Sequence, residues 1–527
     1  MATTSGMPPV GDTVDDDVAK LHALGYAQEL RRRMGGFSNF AVSFTIISVL
    51  SGCLTLYYFG MEYGGPVDLV WGWIIVGVMT TIVGLGMAEI ASAYPTAGGL
   101  YYWSAKLSKN NPGAWSWFTG WFNLLGQVAI TAGIDFGFAT FFSVFLNLTL
   151  NYPDTKGWIL VVYAGILIVH GTLNTFGVRI VSLLSDVSAW WHVLGVLVIA
   201  VVLFFVPSHH ASASFIFTKF ENQTTLGVPI YVFMLGLLMA QYTFTGYDAS
   251  AHMSEETHNA SLAAPRGIVS SIVISLIAGW ILILAITSVI PTNPATYAAV
   301  AANTAAPVAI WTAALSRVGA ELLLFIAVVA QAFCGMASVT ANSRMLYAFS
   351  RDGAVPGHRL WHRINPRTRT PTNSIWFCVV FAFILAVPSL WSSVAYAAVT
   401  SIATIGLYIA YVLPTLLRRL QGDAWVGGRW SLGKWSPVVG WVGIIWVGLI
   451  SILFMLPEVG FGTIDHDNFN YAPIAVGVVL LFSGGYWLLS ARKWFHGPKV
   501  QGSEDELKLI ESGLSRAESS APSVRPS

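Results

Sequence analysis

Charge is what this sequence has least of. Only 10% of its 527 residues are Asp, Glu, Lys or Arg, whereas soluble domains carry about 25%. Hydrophobic residues make up 55% of the chain, and the mean hydropathy is +0.64. The net charge is +1, and no basic stripe with interleaved aromatic residues indicates a nucleic-acid partner. The composition predicts an all-α integral membrane protein surrounded by the lipid bilayer.

Residues typical of enzymes and pumps are equally scarce. The three cysteines, Cys53, Cys334 and Cys378, lie in apolar segments, which argues against a disulfide framework and a zinc site. The sequence shows scattered histidines, no nucleophile cluster and no phosphate-binding glycine loop. We therefore expect no enzyme activity, no cofactor, no metal and no ATP-driven pumping within this chain. A cleavable signal pattern is missing as well, since the first 37 residues are polar.

Long apolar runs, by contrast, are abundant. Each is long enough for the roughly 20 residues that cross a bilayer as a helix. The runs lie at 38–60, 68–92, 113–148, 157–176, 182–206, 228–251, 267–290, 318–348, 372–391, 393–417, 437–457 and 471–490. This pattern predicts about twelve transmembrane helices. They are flanked by a polar N-terminal tail at 1–37 and a C-terminal tail at 491–527, with a short helix near Glu504–Glu511.

Lysine and arginine are unevenly divided between the two sides of this arrangement. With the N-terminus in the cytoplasm, the cytoplasmic segments include Arg31–Arg33 and the five arginines at 351–369, whereas the outer loops keep only Lys156, Lys219 and Arg317. The positive-inside rule therefore predicts an even number of spans with both termini in the cytoplasm. The expected location is the cell membrane, as a multi-pass protein.

The first apolar run is interrupted near its middle by Ser48, Ser51 and Gly52. Lipid offers no replacement hydrogen-bond partner, so a broken helix is tolerated there only where it faces protein or water. A helix restarting at this point presents the N–H groups of Gly52, Cys53 and Leu54, and the positive end of its dipole, to a carboxylate. Small residues serve equally well as a helix-packing face, and this run alone favours packing.

The sixth run is interrupted in a similar way, at Thr245 and Gly246. Gly246 lies 194 residues after Gly52. If ten spans form two halves of five, the two glycines occupy corresponding positions, and the odd number of spans per half gives the halves opposite orientations. Paired interruptions of this kind point to the binding site of an inverted-repeat transporter.

Three runs also carry polar residues about four positions apart, on one helix face. These residues are Asn123, Gln127, Thr131 and Asp135 in the third run, Gln331, Ser338 and Asn342 in the eighth, and Thr400, Thr404 and Tyr408 in the tenth. Interhelical hydrogen bonding explains each stripe taken alone. Three stripes and two interruptions together predict one aqueous cavity.

Ionisable residues inside the runs are expensive in lipid and need separate weighing. Asp135 lies near the outer end of its run and fits a pocket and the membrane interface equally well. His170 fits a hydrogen-bonded core histidine as well as any other role, and Glu89 can reach water at the inner end of its run. His192 lies about two turns inside the fifth run. Imidazole titrates near physiological pH, so His192 is the candidate for proton coupling, beside a purely structural alternative.

Three motifs are informative in combination. The segments AEIASAYPTAGGLY at 88–101 and ANSRMLYAFSRDGAVP at 341–356 resemble two signatures of the amino acid–polyamine–organocation transporter superfamily. The segment FTGYD at 244–248, followed by SEET at 254–257, resembles the amino acid/choline permease branch, which includes GABA permeases. The resemblance covers the first ten spans.

This resemblance implies a LeuT-type fold with broken helices 1 and 6. Its two five-helix inverted repeats would lie at 38–206 and 228–418, followed by two accessory helices at 437–490. The substrate carboxylate would meet the first break at Ser51, Gly52 and Cys53. The substrate ammonium would meet the freed carbonyls of Phe244, Thr245 and Gly246 at the second break. The candidate substrate-binding residues are Ser48, Val49, Ser51, Gly52, Cys53, Gln127, Thr131, Phe244, Thr245, Gly246 and Tyr247. Some proton-coupled relatives carry a lysine in span five, where this chain has none and His192 is the nearest counterpart, so proton and sodium both stay open as the coupling ion.

The expected function is secondary active transport, by alternating access, of an amino acid or a related amine such as GABA. The alternatives are a choline or polyamine carrier or exchanger and, in a different class, a non-transporting membrane receptor. A channel should show a selectivity filter or charged rings, and the sequence shows neither.

Overall fold

Helices make up nearly all the regular structure in the computed structural model, which describes residues 14–176, 178–391, 395–465 and 468–519. In chain order the α-helices are α1 (Val14–Ala23), α2 (Gly36–Ile47), α3 (Gly52–Thr55), α4 (Tyr57–Glu62), α5 (Trp73–Ala93), α6 (Gly99–Leu107), α7 (Pro112–Leu150), α8 (Lys156–Phe176), α9 (Val178–Phe205), α10 (Ala213–Thr218), α11 (Pro229–Gly236), α12 (Leu238–Thr243), α13 (Ala249–His252), α14 (Ala260–Ser288), α15 (Pro294–Ala301), α16 (Ala306–Ala314), α17 (Arg317–Arg351), α18 (His358–Trp361), α19 (Thr372–Ala386), α20 (Ala395–Gln421), α21 (Ser436–Leu453), α22 (Ala472–Leu489) and α23 (Glu504–Ser519). A π-helical turn, Asp68–Gly72, leads into α5, and the strands β1 (Tyr63–Gly64) and β2 (Glu221–Asn222) pair antiparallel.

Within the described ranges, eleven helical segments are long and apolar enough to cross a membrane. They are Gly36–Thr55, Asp68–Ala93, Pro112–Leu150, Lys156–Phe176, Leu183–Phe205, Ala260–Thr287, Arg317–Arg351, Thr372–Leu390, Ala395–Gln421, Gly433–Leu453 and Ala472–Leu489. The sixth predicted run, 228–251, contains only the shorter apolar segment Pro229–Thr243, because its helix stops at Thr243. The chain is therefore a multi-pass, mostly helical membrane protein.

The long helices pack around the two interrupted segments. α7 lies along α17 and α20, and α5 lies along α14. α2 contacts α9, α14 and α17, whereas α22 packs on the outside of α7. Leu481 and Leu489 of α22 are 78% and 81% exposed, as side chains that face lipid would be. The interrupted segments are thus enclosed, and the last helix is peripheral.

Both terminal segments lie on the same face of the protein, called here the terminal face. The imidazole Nε2 of His22 lies 2.8 Å from a carboxylate oxygen of Glu511, and the N–H of Gln501 donates to the carbonyl of Gly25. The Tyr26 hydroxyl and the Lys499 N–H both donate to the Asp352 carboxylate. We call residues 21–34 together with 499–511 the terminal seal. The N-terminal segment is therefore packed into the fold from α1 onward, and the predicted C-terminal helix extends to Ser519.

The opposite face carries short helices and the β1–β2 ribbon. Here the Tyr63 hydroxyl donates to the backbone carbonyl of Glu458 over 3.0 Å. Burial raises the pKa of Glu62 to about 7. Burial, reinforced by the nearby Glu62 carboxylate, raises the pKa of Glu458 to about 7 as well. These two carboxyl groups therefore titrate near neutral pH, outside the membrane-spanning segments.

Candidate functional site

The first apolar run leaves helical geometry between Ile47 and Gly52. Ser48 has a left-handed backbone conformation, with φ of 36°, and caps the C-terminus of α2 through its N–H, which donates to the carbonyl of Phe44. The chain restarts as α3 at Gly52, whose N–H donates back to the Ser48 carbonyl over 3.0 Å. The next N–H groups, of Cys53 and Leu54, have no acceptor inside so short a helix. The interruption predicted from Ser48, Ser51 and Gly52 therefore lies where the helix stops.

The second interruption lies between Thr243 and Ala249. Gly246 has φ of +85°, a conformation that L-residues with a side chain rarely adopt. Its N–H donates to the Tyr411 hydroxyl over 3.1 Å, and its carbonyl accepts from the Ala249 N–H. The carbonyl of Phe244 accepts a 2.6 Å hydrogen bond from the Tyr408 hydroxyl. Two of the three carbonyls expected near the substrate ammonium are therefore already engaged by the protein.

The two interruptions pack directly against one another. A Cβ added at Gly52 would lie 3.0 Å from the Cα of Thr243, and one added at Gly246 would lie 2.2 Å from Cγ2 of Ile46. The Ser43 hydroxyl contacts the carbonyl of Tyr247 at 2.9 Å, which joins α2 to the second break. Each glycine is thus required where one broken segment touches the other.

Several buried polar groups around the breaks make no hydrogen bond of good geometry within the described chain, although Tyr242 lies beside Tyr396, Tyr247 beside Tyr408 and Ser51 beside the Cys334 thiol. They are the hydroxyls of Ser51, Tyr242, Tyr247 and Tyr396 and the side-chain amides of Gln241 and Gln331. A buried polar group without a partner costs about 1–3 kcal/mol. These groups are candidates for contact with a polar ligand, and five of the six belong to the two interrupted runs or lie on the eighth run's polar stripe.

His192 and Ser48, both predicted site residues, are in contact. The imidazole Nε2 lies 2.6 Å from the Ser48 Oγ, and Nδ1 lies 2.8 Å from the carbonyl oxygen of Ser188. A carbonyl only accepts, so Nδ1 carries the hydrogen, and a neutral ring then accepts from the Ser48 hydroxyl at Nε2. His192 therefore holds the residue at which α2 stops.

Asp248 is the main site residue that the sequence reasoning missed. Its fully buried carboxylate accepts 2.8 Å hydrogen bonds from the Gln127 amide and the Tyr411 hydroxyl, and Nε2 of His252 lies 3.1 Å away. His252 Nδ1 faces the carbonyl of Ala97 at 2.9 Å, and a carbonyl only accepts, so Nδ1 carries a hydrogen. The signal was present, because Asp248 is an ionisable residue inside an apolar run.

The polar stripes of the third and eighth runs face each other. The Thr131 hydroxyl lies 2.7 Å from the Ser338 hydroxyl, and the Asn342 amide donates to the Gln127 carbonyl over 3.1 Å. Of the stripe on the tenth run, Tyr408 reaches the second break, whereas the hydroxyls of Thr400 and Thr404 donate to their own helix. Phe244, another predicted substrate-binding residue, packs on Trp73 of α5.

The predicted substrate-binding residues Val49 and Cys53 are buried at the first break, and Thr245 is buried at the second, where its hydroxyl donates to the Tyr242 carbonyl. A cavity of about 230 Å³ approaches them from the face opposite the terminal seal. Its lining includes Thr55, which ends α3, and Tyr396 of α20. Substrate-sized space thus reaches one turn beyond the first break.

Comparison with known proteins identifies the family. Residues 35–481 match the model of a family described as amino acid permease. The chain is 45% identical over 504 residues to the Amino-acid permease BAT1 of Arabidopsis thaliana, which covers 92% of this chain and 96% of that protein. A homologue from Oryza sativa is also 45% identical, over 503 residues and the same shares. The GABA-specific permease of Saccharomyces cerevisiae is 30% identical over 506 residues, or 93% of this chain and 87% of that protein. The chain therefore belongs to the amino acid permease family and is a transporter rather than an enzyme.

Proposed function

We propose that the protein is a secondary active transporter that moves an amino acid or a related amine such as GABA by alternating access. The observation that carries this proposal is the contact between two interrupted membrane segments, Gly36–Thr55 and the shorter Pro229–Thr243. A LeuT-type arrangement of two five-helix inverted repeats, 38–206 and 228–418, with twelve spans in all, accounts for their matching positions. GABA is named because one relative is called a GABA-specific permease.

The substrate would bind between the breaks. Its carboxylate would accept hydrogen bonds from the N–H groups of Cys53 and Leu54 and from the buried Ser51 hydroxyl, which lies beside the Cys334 thiol. Its ammonium would meet the unengaged carbonyl of Thr245 and the buried carboxylate of Asp248, the nearest strong negative charge on the sixth run. This moves the proposed ammonium site away from the Phe244 and Gly246 carbonyls, which hydrogen-bond within the protein.

Protons are the proposed driving ion, with sodium as the alternative. Protonation of His192 would turn Nε2 from an acceptor into a donor toward Ser48, so the Ser48 hydroxyl could no longer donate to it. Ser48 is the residue at which α2 stops, so the protonation state of His192 acts on the geometry of the first break. A difference in proton affinity between two states is what coupling requires.

The terminal face is proposed to be cytoplasmic in the cell membrane. Arg351 pairs with Glu255, and Arg369 donates to the carbonyl of Glu29, so the arginine-rich segments lie on the face that carries both termini. Arg317 donates to the Leu148 carbonyl on the other face. This division supports the positive-inside assignment.

Uptake into vesicles tests the transport proposal. Purified protein is reconstituted, and radiolabelled GABA, neutral and cationic amino acids, choline and a polyamine are offered with and without inward pH or sodium gradients. Accumulation of at least one amino acid above equilibrium is expected with the pH gradient. Specific binding without any uptake would support a receptor instead, and accumulation of choline or polyamine alone would change the substrate class.

His192→Gln tests the coupling residue, because glutamine keeps hydrogen bonding but does not titrate. We expect pH-driven accumulation to be lost while exchange of labelled for unlabelled substrate continues. The matched control is His210→Gln, at a loop histidine that contacts the Leu203 carbonyl on the face opposite the terminal seal. Accumulation equal to the wild type in His192→Gln would remove His192 from the mechanism.

A further inference from the structure

A second buried acid–base pair lies between α7 and α8. Nδ1 of His170 is 3.2 Å from each carboxylate oxygen of Asp135, and both residues are almost fully buried. Breaking a buried ion pair by removing one partner leaves an uncompensated charge and costs about 3–5 kcal/mol. Ionisable residues within a membrane are therefore retained mainly where they have a function. Neither residue takes part in the contacts of the two interruptions.

The pair packs against the backbone of α17 at Gly335, which has no side chain. A Cβ at Gly335 would lie 1.7 Å from Asp135 Oδ1 and 2.8 Å from His170 Cε1, so only glycine leaves room for the two side chains. The imidazole stacks on Phe138 at 6.3 Å. Apart from its contact with the imidazole, Oδ1 of Asp135 has no hydrogen-bond donor within the described residues. The Asp135 carboxylate can therefore accept a further hydrogen bond.

The other titratable groups around the pair are all weak acids. Those facing Asp135 from the packed elements are Tyr163 on α8, Cys334 on α17 and Tyr242 on α12. His170 is thus the base of this cluster among the described residues, and the pair holds one proton in its net-neutral state. Gain or loss of a proton would place a net charge inside the membrane, which is tolerated only when water enters.

A cavity comes close to the stretch of α7 that carries Asp135. The cavity on the face opposite the terminal seal is lined by Phe136 and Gly137, which follow Asp135 in the chain. On the inner side, the Cys334 thiol contacts the carbonyl of Ile46 at 3.2 Å, at the end of α2. Cys334 also faces Asp135, so one residue of α17 links the pair to the end of α2, and movement of α2 would alter the packing around the pair.

We propose that Asp135 and His170 form a proton-binding site, loaded from the cavity on one face and emptied toward the other as the first break moves. The proposal rests on the proposed function and adds a site distinct from His192. The step is a proton transfer only. One proton is taken from water on one side and returned to water on the other, with only O–H and N–H bonds formed and broken.

Infrared spectroscopy of the purified protein tests the site without any transport. On lowering the pH, the wild type should show C=O stretching bands of protonated buried carboxyls, shifted by deuterium oxide, and one of these bands, separate from those of Glu62 and Glu458, should belong to Asp135. The band should be missing in Asp135→Asn and retained in the control Asp186→Asn, at a carboxylate that accepts from Ser38 near the terminal face. A band unchanged in Asp135→Asn would overturn the proposal.

Vesicle uptake separates this inference from the transport proposal. Asp135→Asn and His170→Gln should each lose accumulation driven by an inward pH gradient, while substrate exchange continues and becomes insensitive to pH. Wild-type accumulation and a wild-type pH profile in both variants would overturn the proton site and leave the transporter intact. A wild type that moves no amino acid would refute the proposed function and this site with it. If Asp135→Asn does not fold, His170→Gln and the wild-type spectrum decide the question.

Discussion

Gly246 offers the most direct test of how the second break is built. Replacing it with alanine forces a side chain into φ of +85° and brings a Cβ to 2.2 Å from Cγ2 of Ile46. The left-handed conformation costs roughly 1–2 kcal/mol. Overpacking of a tight core adds about 1–3 kcal/mol. Gly246→Ala should therefore lower the free energy of unfolding by about 2–5 kcal/mol.

The two contributions can be separated by a second substitution. Ile46→Leu removes Cγ2 at constant volume and should itself cost less than about 1.5 kcal/mol. In the Ile46→Leu background, Gly246→Ala should lose the steric part of its penalty and keep the conformational part. The control is Gly165→Ala in α8, where a Cβ meets no atom within 4 Å. Alanine in place of that helical glycine should stabilise by about 0.5–1 kcal/mol.

The assay is thermal unfolding of the purified protein in detergent, followed by the fluorescence of its 21 tryptophans. The reasoning is refuted if Gly246→Ala unfolds at the same temperature as Gly165→Ala. A Gly246→Ala penalty that is equal in both Ile46 backgrounds would instead assign the whole effect to backbone conformation.

Three other outcomes concern the orientation, the pH dependence and the buried carboxylate. A membrane-impermeant maleimide applied to intact cells should label Ser208→Cys and leave Gly357→Cys unlabelled, since all three natural cysteines are buried; the reverse pattern would invert the orientation. As the pH rises from 4.5 to about 7, thermal stability should fall, because folded Glu62 and Glu458 keep protons that the unfolded chain has released. Glu62→Gln should reduce the dependence of thermal stability on pH, and an unchanged dependence would show that Glu62 does not cause it. Asp248→Ala should lower the free energy of unfolding by about 3–5 kcal/mol and Asp248→Asn by less, so equal losses would show that the hydrogen bonds to this carboxylate contribute little.

The positions of the membrane helices could be predicted closely because bilayer thickness imposes long apolar runs. The third run, predicted at 113–148, is the helix Pro112–Leu150. The sixth run was predicted to be broken at Thr245 and Gly246, and the structure divides it there into α12 and α13, with a further division between α11 and α12. Periodicity shows which residues share a helix face, but it does not show which helix that face meets.

Side-chain partners were therefore beyond the reach of sequence reasoning. Asp248 meets Gln127 and Tyr411, which are 121 and 163 residues away in the chain. The hydrogen bond from the Tyr408 hydroxyl to the Phe244 carbonyl could not be predicted either, because a sequence does not show which donor a backbone carbonyl will meet. His192 and Ser48 were both singled out, yet their contact depends on how α2 crosses α9.

The terminal seal has a consequence for biosynthesis. His22 and Glu511 are 489 residues apart, so their contact cannot form until almost the whole chain has been made. At about 5–20 residues per second, the N-terminal segment waits roughly 25–100 s for its partner after leaving the ribosome. All membrane segments are inserted during that interval with this face uncovered. A chain terminated before residue 499 never acquires the seal, so closure of the terminal face requires synthesis to continue through residues 499–511.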